Sequence, residues 1–339
     1  GSLDPNKLTP RQVAQYRVAP KPVAVAAQDD GTPKLKTDRP GKRVAHLDNG
    51  QLRISFLAQE DQSGIEQIVR QTELRMGDQW IALEKEPQAE RLFLMHAEQV
   101  NVRSVWCFPH WSGTTVPHKV IVAGKQYAVR DSANPFFAAP AERLVPRAAK
   151  QIDSATVEVQ YVDKAGRASV GRWSLEPQSQ DVRFSLTVTP ARDGVYSVGF
   201  CAFDDRSRSE TQFVQLPPLY QFQRLPNSAE LVPSTMMPHP MALVQIAAPG
   251  AADRSACLAV VAEPARLPFR WAEAEQSPYG FSLLNAAGRV QPSIFSPVLG
   301  LEGSRWKAGS PQTVAWRLLA VPGDWRQSLA YLSDHVMGV

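Results

Sequence analysis

An aromatic and histidine-rich stretch holds the side chains best suited to ligand chemistry. It places Trp106, His110 and Trp111 within six positions, in a segment without the alternation of a strand. A flat aromatic ring suits the C–H face of a sugar ring, and an imidazole can hydrogen-bond a hydroxyl group. Loops that project from a rigid sheet often carry such groups. The stretch therefore predicts saccharide recognition by these three residues, and the alternative is that the rings anchor a long loop to the core.

A second cluster combines Trp271 and Glu273 with the flanking charges of Arg270 and Glu275. A Trp beside carboxylate and guanidinium groups is suited to a polyol, so Trp271 and Glu273 are further candidate binding residues. The same alternation of charged residues also describes the solvated face of an ordinary strand. A third cluster, at residues 305–307, is better interpreted as a tryptophan at a strand edge.

Known catalytic and metal-binding motifs are absent from the sequence. There is no glycine-rich phosphate loop, no HExxH and no GxSxG, and the six His never fall three or four residues apart. Glycosidic hydrolysis needs two carboxylates about 5–10 Å apart. Asp204 and Asp205 are adjacent at a strand end, and their side chains would point to opposite faces if the strand continues, so they make a poor pair. We therefore expect no metal and no cofactor, and the sequence assigns no catalytic residue.

The elements that must position a binding site are strands. Apolar residues occupy every second position from Val157 to Tyr161, from Val182 to Val188 and from Tyr196 to Ala202. Alternate side chains of a strand point to opposite faces, so each run predicts a half-buried strand. Turn residues separate the runs at 163–166 and 190–194. We predict an antiparallel meander whose apolar face packs on a second layer.

About a dozen strands are predicted along the chain, and the last of them, Thr313 to Val321, is particularly clean. This number exceeds the seven strands of an immunoglobulin sandwich, and no repeat has the fixed period of a propeller. The 28 Pro and 20 Gly favour turns over long helices. We therefore predict an all-β fold, a large antiparallel β-sandwich with a short C-terminal helix. Its core should include Val182, Phe184, Leu186, Val188, Val314, Trp316 and Leu318.

Positive charge is concentrated near the N-terminal end. Residues 1–43 hold nine Lys and Arg against four Asp, a net charge of +5, whereas the whole chain carries +4. A nucleic-acid-binding domain carries its positive charge on the folded face that meets phosphate, so no nucleic-acid partner is expected. No apolar run approaches the ~20 residues of a membrane-spanning helix, so no membrane partner is expected either.

The sequence divides into three segments. Residues 1–43 are predicted to form a Pro- and Lys-rich tail or linker. Residues 44–322 are predicted to form the β-sandwich domain, and residues 323–339 are predicted to form the start of a helix. We expect this helix to lie on the outer face of the sandwich or to lead into a downstream helical domain. Asp324 can cap it, and its apolar stripe consists of Trp325, Leu329, Leu332 and Val336.

The layout as a whole resembles a known arrangement. A dozen-strand antiparallel domain ends in the strand Thr313 to Val321, and Pro322-Gly323-Asp324-Trp325 then leads into an amphipathic helix. This resembles the β-supersandwich of the galactose mutarotase-like class that precedes an (α/α)6 barrel in six-hairpin glycoside hydrolases and some polysaccharide lyases. The resemblance covers residues 44–339. It implies a generally non-catalytic sandwich whose loops shape a sugar cleft, whereas the barrel supplies the acid and the base.

Three functions are compatible with these observations. The favoured one is a carbohydrate-associated module that binds or shapes an oligo- or polysaccharide beside a downstream catalytic barrel, with no turnover by this chain alone. The second is a free-standing sugar-modifying enzyme of mutarotase type, which would need a His acid and a Glu base that no residue here matches. The third is a binding or structural domain unrelated to sugars. Cys107, Cys201 and Cys257 lie too far apart to indicate a redox compartment, and the saccharide interpretation favours a periplasmic or secreted location.

Overall fold

The computed structural model describes residues 34–36, 41–85, 87–101, 118–122, 125–129, 141–217, 220–226, 229, 231–268, 276–285 and 287–338. These residues form antiparallel sheets and one short C-terminal helix, as the sequence predicts. No helix among them is long and apolar enough to cross a membrane.

The largest sheet has nine strands in the order β11-β12-β13-β14-β24-β20-β19-β16-β17. Every neighbouring pair in it is antiparallel. Its strands are β11 (Val145–Asp153), β12 (Thr156–Val162), β13 (Ala168–Ser174), β14 (Asp181–Val188), β16 (Thr211–Leu216), β17 (Tyr220–Phe222), β19 (Met241–Ala248), β20 (Ala251–Ala262) and β24 (Gln312–Pro322).

Two further sheets pack on one face of this nine-stranded sheet and share its main core. One has the order β1-β2-β3-β4, with β5 also on β3; its strands are β1 (Lys42–Asp48), β2 (Leu52–Glu60), β3 (Glu66–Met76), β4 (Gln79–Ala82) and β5 (Gln88–Ala89). The other has the order β10-β6-β15-β22-β21-β18, with β23 on β15; its strands are β6 (Arg91–Ala97), β10 (Glu142–Arg143), β15 (Gly194–Cys201), β18 (Val232–Pro233), β21 (Gly280–Leu284), β22 (Val290–Ser296) and β23 (Arg305–Trp306). A small sheet holds β7 (Gln99–Asn101), β8 (His118–Val122) and β9 (Lys125–Val129).

The predicted core is confirmed, because each of its seven residues is at most 4% exposed. Aromatic rings fill the centre of the sandwich. The ring of Phe184 lies 4.5 Å from that of Trp173, 5.1 Å from that of Trp316 and 5.9 Å from that of Phe200, measured between ring centroids. Gly171 makes room for them, since a Cβ there would lie 2.4 Å from the Tyr161 ring. The alternation along β14 therefore identifies the buried face correctly, whereas β24 is buried on both faces.

The predicted meander is wrong in its order and in its third strand. The first two predicted strands, β12 and β14, are not neighbours, because β13, which was not predicted, lies between them and pairs with both. The run from Tyr196 to Ala202 lies mostly in β15. This strand belongs to the opposing sheet, where it pairs with β6 and β22. Its alternate side chains still face the main core. Alternation reports which face of a strand is buried, but it does not report which strand lies beside it, and here the chain changes sheets after Val188.

The C-terminal helix α1 (Trp325–Tyr331) covers the opposite face of the nine-stranded sheet. Asp324 caps it and accepts a hydrogen bond from the Arg326 main-chain N–H. The helix continues as a π-helical turn, Leu332–Met337. Leu332 and Val336 are buried and Trp325 and Leu329 are half-buried against a second apolar cluster, so the stripe lies on the outer face of the sandwich as expected. The sheet residues of this cluster are Phe213, Met241, Leu243, Cys257, Ala259, Val261, Leu319 and Val321.

Asp181 joins this helix to the sheet. Its carboxylate lies 2.8 Å from the Arg317 guanidinium and accepts a 2.6 Å hydrogen bond from the Tyr331 hydroxyl. Burial and the Asp181 charge raise the pKa of Tyr331 to about 12, so its hydroxyl remains a donor at neutral pH.

We expect Asp181→Asn to weaken the attachment of the helix, because an amide cannot neutralise Arg317 and accepts the tyrosine hydrogen bond less strongly. The expected loss is about 1–3 kcal/mol, with faster hydrogen exchange across residues 325–337. Asp334→Asn, an exposed position in the same helical segment, serves as the control. Unchanged exchange in Asp181→Asn would show that apolar packing alone holds the helix.

Candidate functional site: a groove beside Trp80

A groove of about 570 Å³ runs between the edge strand β4 and the turn that joins β19 to β20. Its size lies within the ~300–1,000 Å³ range of small-molecule sites. Gly77 has a φ of 65°, which suits the two-residue turn between β3 and β4 and starts the strand that forms one wall. The lining residues include Gln79, Trp80, Ala82, Lys85, Pro249 and Gly250.

Trp80 gives the groove its aromatic surface. It lies opposite Arg75 across the β3–β4 ladder and is half-buried. The Arg53 guanidinium lies 4.1 Å from the centre of the Trp80 ring, in cation–π contact. Arg53 is itself fixed by Asp48 at 2.8 Å and by Glu73 at 3.6 Å. The indole therefore has a defined orientation while part of its surface remains open to a ligand.

The main chain of β4 also faces the groove. Leu83 N–H donates to the Thr72 carbonyl at 2.9 Å, so these two residues form a hydrogen-bonded pair where β3 and β4 run side by side. Residues of an antiparallel strand alternate between bonding to the neighbour and pointing away from it. Trp80 and Ala82 consequently direct their N–H and C=O groups away from β3. These groups supply uncharged donors and acceptors beside the indole ring.

A buried charged network lies behind this wall. The Arg70 guanidinium sits between two carboxylates, 3.2 Å from Glu84 and 3.4 Å from Glu90. Glu84 also accepts a 2.8 Å hydrogen bond from the Thr72 main-chain N–H, and Glu90 accepts one of 2.5 Å from the Tyr161 hydroxyl. All three charged side chains are at most 5% exposed.

Burial decides the ionisation of this network. It raises the pKa of Glu84 and of Glu90, because desolvation of the carboxylates outweighs their attraction to Arg70. The Arg70 guanidinium also lies 5.4 Å from the Trp173 ring centre and 5.7 Å from that of Phe203. The two carboxylates are thus enclosed by core side chains and already bonded. Their arrangement holds the segment after β4 in place and offers no access to a sugar.

Lys85 closes one end of the groove. Its main-chain N–H donates to Asp204 at 3.1 Å, and its ammonium lies 2.5 Å from Glu210. Hydrogen bonds from Lys85 and Ser207 lower the pKa of Glu210 to about 2. Asp204 is also paired with Arg206 at 2.7 Å. The lysine is therefore held by charges from a distant part of the chain.

The acidic pair considered from the sequence does not form a catalytic site. Asp204 bonds to Arg206 and Lys85, whereas Asp205 lies 2.7 Å from Arg289 and accepts a 3.0 Å hydrogen bond from Asn285. The two carboxylates have separate sets of partners, although they lie beyond the end of β15 at Cys201, where strand alternation no longer applies. Within the described residues, no group of three or more His, Cys, Asp or Glu side chains is arranged to hold a metal ion.

All five binding residues predicted from the sequence, Trp106, His110, Trp111, Trp271 and Glu273, lie outside the described residues. Their proposed role stays a prediction. The third cluster is structural, because Trp306 is 4% exposed and its ring stacks on Tyr196 at a centroid distance of 5.1 Å.

The groove residues were missed by the sequence analysis, although one signal for them exists. On β4, Trp80 occupies the position that alternates with the buried Ile81. A large aromatic residue on the polar face of an edge strand is a reason to expect a surface contact. The contribution of Pro249 and Gly250 had no such signal, because the turn is distant in sequence.

No protein-family model matches the sequence, and no curated protein matches it. Among solved structures, a galactose mutarotase-like protein from Lactobacillus casei ATCC 334 matches at 9% identity and a TM-score of 0.37, over 82% of this chain and 99% of that chain. An aldose epimerase homologue from C. elegans matches at 8% identity and a TM-score of 0.32, over 82% and 98%. These proteins belong to the class that the strand layout resembles.

A structure assigned as a kojibiose phosphorylase from the human microbiome matches at 7% identity and a TM-score of 0.39. The match covers 88% of this chain and 32% of that chain, so the present chain spans about a third of the length of that protein.

Proposed function

We propose that this chain recognises a saccharide in the groove beside Trp80. The observation that carries the proposal is a half-buried indole at the wall of a groove that combines apolar residues with polar groups. A sugar ring combines a C–H face with a rim of hydroxyl groups. The indole supplies the apolar contact, and the Gln79 amide with the main-chain groups of Trp80 and Ala82 supplies hydrogen-bond partners for the rim.

The proposal extends to the context of the whole protein. We propose that recognition here serves a sugar-cleaving enzyme, in which a separate helical domain carries the catalytic acid and base. Enclosure of Glu84 and Glu90 supports a binding role rather than a hydrolytic one for the groove, because neither carboxylate can reach a glycosidic oxygen.

We expect Trp80→Ala to weaken saccharide binding by about tenfold or more, because the aromatic contact with the sugar ring is lost. A tenfold loss of affinity corresponds to about 1.4 kcal/mol of binding free energy. Isothermal titration calorimetry with maltotriose, cellotriose, mannotriose and trigalacturonate measures this loss. Because Trp80 is half-buried on an edge strand, its replacement should lower the free energy of unfolding by no more than about 1–2 kcal/mol.

Phe222→Ala is the matched control. Phe222 is an aromatic residue that is 61% exposed and does not line the groove, so its removal should leave the affinity unchanged. Absence of binding by the unmodified chain to all four probes would contradict the proposal. Equal affinities of the unmodified chain and Trp80→Ala would contradict the assignment of the groove.

A further inference from the structure

We infer that the groove selects an uncharged saccharide and discriminates against acidic sugars such as uronates. This inference rests on the proposed function and adds the chemical class of the ligand. It follows from the charges that line the groove and from the partners that those charges already have.

Both charged residues in the lining are neutralised within the chain. The Glu84 carboxylate is bonded to Arg70 and to the Thr72 main chain, and its side chain is fully buried. The Lys85 side chain is 53% exposed, and its ammonium lies 2.5 Å from the Glu210 carboxylate, whose negative charge offsets its own. An acidic ligand that approached Lys85 would also meet the negative charge of Glu210, which opposes it.

Neighbouring guanidinium groups are directed elsewhere. Arg53 is held by Asp48 and Glu73 while it covers the Trp80 ring. Arg75 donates to the main-chain carbonyls of Gly77 at 3.1 Å and Gly50 at 3.5 Å, and Arg254 donates to that of Met76 at 2.9 Å. None of the three is among the residues that line the groove.

The groups that do face the groove match hydroxyls rather than carboxylates. The Gln79 amide offers two donors and one acceptor oxygen, and the main chain of Trp80 and Ala82 offers N–H and C=O groups in alternation. A hydroxyl group both donates and accepts, so it can use this mixture fully. A carboxylate only accepts, so the carbonyl oxygens of the wall would oppose it.

The neutralisation of Lys85 persists over a wide pH range. The pKa of Glu210 is lowered from 4.5 to about 2. Because the pKa of Glu210 is lower in the folded state, the ion pair contributes its full stabilisation above about pH 4.5, the pKa of the unfolded state. This stabilisation is lost only as the pH falls through about 2. Selectivity against acidic sugars should therefore be the same between about pH 5 and pH 8.

Calorimetry with matched probes tests the inference. The unmodified chain should bind at least one of maltotriose, cellotriose and mannotriose about tenfold more tightly than trigalacturonate. Raising NaCl from about 50 mM to about 500 mM should leave the affinity for the neutral oligosaccharides unchanged, because an uncharged ligand forms no ion pair that salt could screen. Tighter binding of trigalacturonate, abolished in Trp80→Ala, would overturn the inference while leaving the proposed function intact. Binding of no probe would instead contradict the proposed function.

Glu210→Gln supplies a gain-of-function test. Glutamine keeps an oxygen for the Ser207 main-chain N–H, which donates to Glu210 at 2.7 Å, but it releases Lys85. Trigalacturonate affinity should then rise about tenfold, as expected for one new charge-assisted hydrogen bond, and should become salt-sensitive. Adding Lys85→Met to this variant should cancel the gain. An unchanged trigalacturonate affinity in Glu210→Gln would overturn the assignment of Lys85 as the masked cation.

Discussion

Replacement of Arg70 by alanine is expected to lower the free energy of unfolding by about 3–5 kcal/mol, the usual effect of removing one partner from a buried ion pair. Arg70 is 4% exposed and lies between Glu84 and Glu90. Its loss leaves two enclosed carboxylates without their cation. Urea denaturation followed by circular dichroism measures the change. Arg172→Ala is the control: its side chain lies on β13 and is 58% exposed, so this replacement should change the free energy of unfolding by less than about 0.5 kcal/mol.

The effect of Arg70→Ala should depend on pH with a defined sign. Burial already raises the pKa of Glu84 and Glu90 above the reference value of 4.5, and removal of Arg70 raises it further. A carboxyl group with a raised pKa in the folded state contributes its stability below the unfolded pKa and loses it as the pH rises through the folded value. Arg70→Ala should therefore be less stable at about pH 8 than at about pH 5. A loss that is small and independent of pH would show that water or relaxation replaces Arg70.

Phe184→Ala is expected to destabilise the sandwich by about 3–5 kcal/mol, because it leaves a cavity where three other rings meet. Phe184 is fully buried and its ring contacts Trp173, Trp316 and Phe200. Val170→Ala on the neighbouring strand is the control, since Val170 is 42% exposed. The midpoint of urea unfolding should fall strongly in the first variant and little in the second. Similar midpoints would indicate that the core collapses around the cavity at low cost.

The sequence by itself determined the fold class and the buried faces of the clearest strands. Along β14 the apolar side chains alternate with polar ones, so period-two patterning identifies Phe184 as core without any knowledge of its neighbours. In β24 nearly every residue from Val314 to Val321 is apolar, so Trp316 is identified as core by the apolar run itself. The C-terminal helix was predictable for the same kind of reason, since Asp324 and the apolar stripe that follows it are local signals. Local patterns of this kind depend only on backbone geometry.

Which strands lie beside each other in a sheet depends on the tertiary structure and could not be predicted from local patterns. β15 has the alternation of a meander strand, yet it pairs with β6, about 100 residues earlier in the chain, and with β22, about 100 residues later. In β20 the alternation is weak because one face meets the opposing sheets and the other meets the C-terminal helix, so residues of both parities are buried. Neither arrangement leaves a signal within a short window of sequence.

The groove shows the same division. Trp80 and Lys85 come from the β4 region, Pro249 and Gly250 come from a turn more than 160 residues later, and Glu210 comes from between them. No local pattern links these positions, because a site assembled from separate turns is defined by where the sheets bring their ends together. Arg70 likewise looks like one charged residue in a polar strand until the fold encloses it between two carboxylates. The sequence determined which side chains are available, and the packing of the sheets decided which of them meet.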